Sequence, residues 1–144
     1  MITEDKIIQI LTWSVDNQLF GMDISQCREV VKNRRVTKVP HAPDKIAGIV
    51  NLRGEVVTVL ELRKLLGYKA NKNETDYVII RLKTGGQQVA IKADMVYDVI
   101  DIDRSRFEPP PSNMSEIETR FISSVVVTDK GLVIILNPEE IAIP

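Results

Sequence analysis

The 144-residue chain predicts a mainly β protein, built as two small barrels of about five strands each that pack together with few short helices. Three observations predict it. Seventeen valines and eighteen isoleucines cluster in short runs between turn residues, as a pleated, half-buried surface requires. Compact turn chemistry separates several of those runs: Asp16-Asn17, Arg53-Gly54, Gly85-Gly86 and Asp129-Lys130-Gly131. The third is self-similarity. Phe20–Val31 aligns without gaps on Val89–Ile100, and Ile46–Leu65 aligns without gaps on Ile122–Ile141. The offsets are 69 and 76 residues, and the seven extra residues fall around Pro109-Pro110-Pro111. A shared order of apolar runs, turns and acidic positions points to an internal duplication. Each half alone is marginal in size, so the two copies are expected to pack face to face.

Taken in order, strands are predicted at Ile7–Val15, Leu19–Asp23, Val36–Val39, Ile46–Asn51, Val56–Glu61, Tyr77–Leu82, Gln88–Ile91, Val99–Ile102, Ile122–Thr128 and Leu132–Leu136. Asp23 or Ser25 is expected to cap a turn or two of helix through Val31, in which Cys27 and Val30, three apart, share a face. Leu62–Leu66 and Pro138–Ile141 are expected to make about one helical turn each. The chain reads as one domain, 1–144, with approximate lobes 1–75 and 76–144 between which terminal strands can cross.

Nineteen basic residues against twenty acidic ones give a net charge of −1, which excludes nucleic acid or an anionic membrane as the principal partner. A local basic patch stands at Lys32, Arg34, Arg35 and Lys38. With one cysteine there is neither an intramolecular disulfide nor a cysteine metal cluster. No apolar run reaches the ~20 residues of a membrane helix. Met1–Lys6 lacks the pattern of a secretory leader, so a cytoplasmic protein is expected.

Catalytic chemistry has little to work with. His41 is the only histidine, and a Cys27/His41 nucleophilic pair with Asn51 has no local signature behind it. Asp98, Asp101 and Asp103 lack the glycine and terminal glutamate of a calcium loop. There is no glycine-rich phosphate loop. The expectation is a non-enzymatic binding module without metal or cofactor. Its surface is sought where packing does not dictate the residue: at Arg53, on a hairpin tip that would accept Asn, Asp or Gly, and at Glu29, among residues that favour burial.

Gly48-Ile49-Val50-Asn51-Leu52-Arg53-Gly54, followed by Val57, Val59, Leu62 and Leu66-Gly67, closely resembles the signature of CheW-type chemotaxis coupling proteins. Phe20–Ile24 with Glu29-Val30, Val89–Ile91 with Asp94–Val99, and Phe121–Leu136 resemble further segments of that family, so the likeness covers nearly the whole chain. The resemblance implies two SH3-like five-stranded barrels around a shared core. It implies a cytoplasmic, non-catalytic scaffold, recruited to receptor arrays at the inner face of the membrane. There it would couple the cytoplasmic tips of methyl-accepting chemoreceptors to the histidine kinase CheA through that kinase's regulatory domain, without cofactor, nucleic acid or membrane insertion. Carried over by position, Cys27, Glu29, Val30, Arg53, Val96 and Val99 would form the receptor-binding groove, with Glu29 and Arg53 as an ion pair at its edge. Ile24, Leu52, Gly54 and Glu55 would contact the kinase. Ser124, where a glycine is usual, and Asn137-Pro138, replacing an apolar-acidic pair, depart from the pattern. The alternative is a homologous two-barrel regulatory domain from a larger signalling protein, which the chain's end at Pro144 argues against.

Overall fold

Short β-branched runs too brief to be stable alone become strands by pairing, and ten do so among the described residues. The computed structural model describes residues 6–68, 76–113 and 120–142; Met1–Asp5 of the N-terminal stretch and Pro144 lie outside them. The strands are β1 (Ile7–Val15), β2 (Gln18–Asp23), β3 (Cys27–Lys32), β4 (Ile46–Leu52), β5 (Glu55–Glu61), β6 (Val78–Leu82), β7 (Val89–Ala93), β8 (Met95–Asp103), β9 (Ile122–Thr128) and β10 (Gly131–Leu136). Two single-turn helices follow the second strand of each long hairpin: α1 (Leu62–Leu65) after β5 and α2 (Pro138–Ala142) after β10. Asn137 caps α2, its Oδ1 accepting from the Glu139 amide at 3.1 Å, and Pro138 takes the first helical position. The Asn-Pro departure is thus ordinary helix-start chemistry.

Two expectations need correction. Val36–Val39 is not a strand; only Thr37 bridges to Ile49. The helix expected through Val31 is absent. A single 3₁₀ turn at Ile24–Gln26, capped by Asp23, ends at extended Cys27, and Cys27–Lys32 runs as β3 along β6. Val30 and Val31 favour that pairing over a helix stiffened at χ1.

The strands form two antiparallel-rich sheets, ordered β8-β1-β2-β10-β9 and β3-β6-β7-β5-β4. They do not divide the chain near residue 75. Each half keeps its first two strands in one sheet and gives its last three to the other, so β3–β5 join β6 and β7, while β8–β10 return to β1 and β2. The pairings repeat residue for residue at the offsets read from the sequence. Cys27 lies opposite Leu82 as Val96 lies opposite Trp13, and Val30 opposite Ile80 as Val99 opposite Leu11. The long hairpins share a bulge: Ile46 pairs Leu60 and Gly48 pairs Val59, as Ile122 pairs Leu136 and Ser124 pairs Ile135. Gly48 has φ +151°, and a Cβ there would stand 2.2 Å from the Thr37 carbonyl oxygen, so the first bulge admits only glycine. Ser124 is not among the residues with positive φ, which is why serine is tolerated in the second.

The end strands of each sheet, β8 with β9 and β3 with β4, are not paired, so neither expected barrel is closed by backbone hydrogen bonds. A shared core lies between the sheets, with Leu11, Trp13, Phe20 and Met22 from one and Leu60, Ile80, Leu82 and Ile91 from the other. Each sheet has a smaller core on its other face: Val50, Leu52, Val57, Val59, Ile79 and Ala90 in one, Ile10, Ile102, Val126, Val133 and Ile135 in the other. Fully burying each such side chain contributes roughly 1.5–3 kcal/mol, enough to unite two lobes too small to stand apart. A polar clasp adds direction. Buried Arg63 of α1 reaches the carboxylates of Asp16 (3.2 Å), on the β1–β2 turn of the other sheet, and Asp94 (2.8 Å), where the chain passes from β7 to β8 of the other sheet.

Candidate interaction surface

The edge strands β3 and β8 carry five of the six expected groove residues, all but Arg53. A bulge in β3 between Cys27 and Glu29 shifts the alternation by one residue. Cys27 and Val30 therefore share a face despite being three apart, and both pack on the shared core with Val96 of β8. Val99 keeps 44% of its surface in solvent opposite Leu11. The sharing of a face by Cys27 and Val30 thus arises from a bulged strand, not a helix. Burial raises the pKa of the Cys27 thiol, which keeps it protonated and unsuited to attack.

The same bulge turns Glu29 to the opposite face, where the β4–β5 turn arrives. Leu52 pairs Glu55 across two residues of positive φ, Arg53 (54°) and Gly54 (82°), a tight turn held by Asn51 Oδ1, which accepts from the Gly54 amide at 3.1 Å. Glu29 lies at the tip, its Oε1 3.5 Å from Arg53 Nε. Arg53 is 80% exposed and Glu29 16%. This contact is long and uses one nitrogen, so the forked pairing geometry of arginine is left open on the solvent side.

Glu29 has a closer partner that the sequence reading missed. Arg81, 1% exposed on β6, donates from Nη1 to Glu29 Oε2 (3.2 Å) and from Nη2 to Glu55 Oε1 (2.9 Å) and Gln88 Oε1. Its hydrogen bond to Glu55, opposed by burial and reinforced by Glu29, pushes the guanidinium pKa up. In return, Arg81 holds the Glu55 carboxyl below its ordinary range. A signal for Arg81 was present: one cation inside Val78-Ile79-Ile80-Arg81-Leu82, a strand buried throughout.

The expected kinase contacts separate. Gly54 and Glu55 stand exposed at the tip, and half-buried Ile24 rests on the shared core. Leu52 needs correction: it is 1% exposed in its lobe's own core and offers a partner no surface. Asp103 is occupied in capping the turn Arg104–Arg106; the amide and hydroxyl of Ser105 donate to its carboxylate and hold its pKa down. Among the described residues no group of three or more His, Cys, Asp or Glu could hold a metal ion, and no helix is long and apolar enough to cross a membrane. A cavity of about 590 Å³ between β4, β5 and the helices, rimmed by Lys45, Lys64 and Arg120, includes none of the ten residues expected to bind partners.

Paired β lobes with a strained, charged tip and apolar edge strands define a protein-interaction module. The CheW-like domain family matches residues 9–143, and the chain belongs to that family. It is similar to the chemotaxis protein CheW of Thermotoga maritima, 26% identical over 136 residues, covering 94% of this chain and 88% of that protein. It is also similar to the probable chemotaxis protein CheW of Rhizobium etli, 26% identical over 131 residues, covering 91% and 84%. Among solved structures it is similar to the scaffolding protein TtCheW from Thermoanaerobacter tengcongensis, with TM-score 0.83 and 36% identity, covering 92% of this chain and 90% of that one. These relatives favour a chemotaxis coupling protein over a regulatory domain from a larger signalling protein.

Proposed function

We propose that the protein is a non-catalytic chemotaxis scaffold that joins the cytoplasmic tips of chemoreceptors to the regulatory domain of the histidine kinase CheA. It would act in the cytoplasm, gathered into receptor arrays at the inner face of the membrane. Family membership over residues 9–143 carries the reading. The geometry agrees with it. Cys27, Val30, Val96 and Val99 offer apolar footing on two edge strands, suited to a helical tip, and Arg53 offers a free guanidinium face beside them on β3's other side. Gly54, Glu55 and Ile24 remain for the kinase. Titration calorimetry and gel filtration of the purified protein with the regulatory domain at micromolar concentration test this. A complex with weak salt dependence is expected; no heat and no complex would overturn it.

A further inference from the structure

Among the described residues a buried arginine joins the charges at this tip in one lobe only, the β4–β5 one, and the duplication supplies an internal control. By the repeated register, Arg81 of β6 corresponds to Thr12 of β1, Glu29 to Asp98, and the tip Arg53-Gly54 to Asp129-Lys130. In the sister lobe, buried Thr12 donates its hydroxyl to the Asp98 carbonyl at 2.7 Å. Lys130 Nζ reaches the Asp98 carboxylate at 3.7 Å, with both side chains largely exposed. The same strand arrangement therefore forms with a small hydroxyl where this lobe buries a guanidinium. Burying a cation is costly unless it is fully paired, and packing alone does not call for it.

We propose that Arg81 is a positioning residue for the partner-facing tip: from inside β6 it holds Glu29 with one nitrogen and Glu55 with the other, and so orients Arg53 without touching a partner. The inference rests on the reading above, in which the Arg53 edge is a docking surface. The geometry makes the tether effective. Strands β3 and β4 stand at opposite ends of their sheet, and no backbone pairing joins them. The charges span that gap, Glu29 of β3 to Arg53 after β4, and Arg81 of β6 to Glu55 of β5. Both sides of the two-residue turn are thereby anchored. Without Arg81, two carboxylates lose their shared cation and Glu29 is free to swing away from Arg53. Gln88, a neutral amide, cannot replace the charge.

The test is a double-mutant cycle in the full chain, crossing Arg81→Met with Arg53→Ala and measuring affinity for a purified receptor-tip fragment, melting temperature, and the NMR resonance of the Arg53 Nε–H in the free protein. Arg81→Met is expected to weaken tip binding about tenfold and shift that resonance, and adding Arg53→Ala should then cost little more, because residues in one network do not add. Arg81→Lys should recover only part, since an ammonium lacks the fork. Val126→Ala, a core truncation in the sister lobe, should lower the melting temperature without changing affinity. Additive effects of Arg81→Met and Arg53→Ala, or an equal loss of binding in Val126→Ala, would overturn the inference while leaving the docking reading intact. If the methionine variant does not fold, the cycle runs with Arg81→Lys and with Glu55→Gln at the exposed tip, and additivity there overturns it equally. Absence of receptor-tip binding by the unaltered protein would overturn the docking reading itself, whereas an unshifted Arg53 resonance in folded Arg81→Met would overturn the positioning role alone.

Discussion

Replacing Arg53 with asparagine should leave the fold as stable as before, or more so, and still disable coupling. Arg53 sits at φ 54°, followed by Gly54 at 82°, a turn that favours asparagine at its first central position. Holding a bulky L-residue in that region costs roughly 1–2 kcal/mol, and asparagine bears less of it. Against that stands the loss of one contact at 3.5 Å on a side chain 80% exposed, and exposed pairs contribute ~0–1 kcal/mol. The two terms nearly cancel. At about 2–4 °C per kcal/mol for a chain approaching this size, the melting temperature should stay within about 3 °C of the original or rise. Calorimetric melting gives that number. Receptor-dependent kinase activation in reconstituted arrays gives the other, which should fall well below the original level. A fall in melting temperature beyond about 5 °C would refute the stability reasoning, because Arg53 would then hold the fold together. Undiminished kinase activation would refute the assignment of Arg53 to a partner.

Gly48→Ala forces a Cβ to 2.2 Å from the Thr37 carbonyl and should lower stability by on the order of 3 kcal/mol or more in urea titration, whereas Ser124→Gly at the equivalent bulge should change it by less than about 1 kcal/mol. Val99→Asp should keep the fold, since Val99 is 44% exposed, but weaken receptor-tip binding; an unfolded variant would make Val99 ordinary core. Acid should expose the Glu55 tether. Arg81 depresses the folded-state pKa of Glu55, and Ser105 depresses that of Asp103, so each carboxylate stabilises the fold above its unfolded pKa, about 4 for either residue, and loses that contribution as pH falls through the lower folded value. Urea midpoints should therefore drop with pH below about 4, and Glu55→Gln should flatten that drop.

What could be read from the sequence followed from whether a residue's environment was local. Nine of the ten predicted strands, all but Val36–Val39, the duplication at offsets 69 and 76, and the two one-turn helices rest on periodicity and turn chemistry within a few residues, and the structure has them. The segment Asp23–Val31 was misread because capping residues precede it and a bulge makes Cys27 and Val30 share a face at helical spacing. Only pairing with β6, fifty residues away, decides for strand. That terminal strands can cross between lobes was expected, but which strands cross was not legible, for a related reason: nothing in a run of valines says which of two equivalent sheets it will join. Glu29 and Arg53 stood out because their neighbours are apolar. Arg81 was passed over because a single cation in an apolar strand has meaning only once its partners at positions 29, 55 and 88 converge on it. Leu52 erred the other way, a core residue credited with a surface role by its place next to Arg53.

The internal repeat separates what the fold needs from what the partner needs. Where the two halves keep both register and residue type, as with Ile80 opposite Val30 and Leu11 opposite Val99, the requirement is a shared core, and substitution of Ile80 or Leu11 should damage both. Where they keep register but change chemistry, the fold has tolerated either choice, and the difference needs another cause. Thr12 against Arg81, Gly131 against Glu55, and Asp129 against Arg53 are three such changes gathered at one end of equivalent strands. A random drift of surface residues would scatter them. Their convergence on one buried guanidinium, with its carboxylates at 2.9 and 3.2 Å, makes that end of the β3–β7 sheet the specialised one. Exchanging the sets should therefore be asymmetric. Giving the β4–β5 lobe the sister's threonine and aspartates should preserve folding and abolish receptor coupling. Placing arginine at position 12 of the sister lobe, where only the exposed Asp98 carboxylate, already facing Lys130, lies near and Gly131 stands in place of Glu55, should destabilise the protein by several kcal/mol, the cost of a poorly paired buried charge. Equal tolerance of both exchanges in thermal melts and coupling assays would show that the charged end carries no special role.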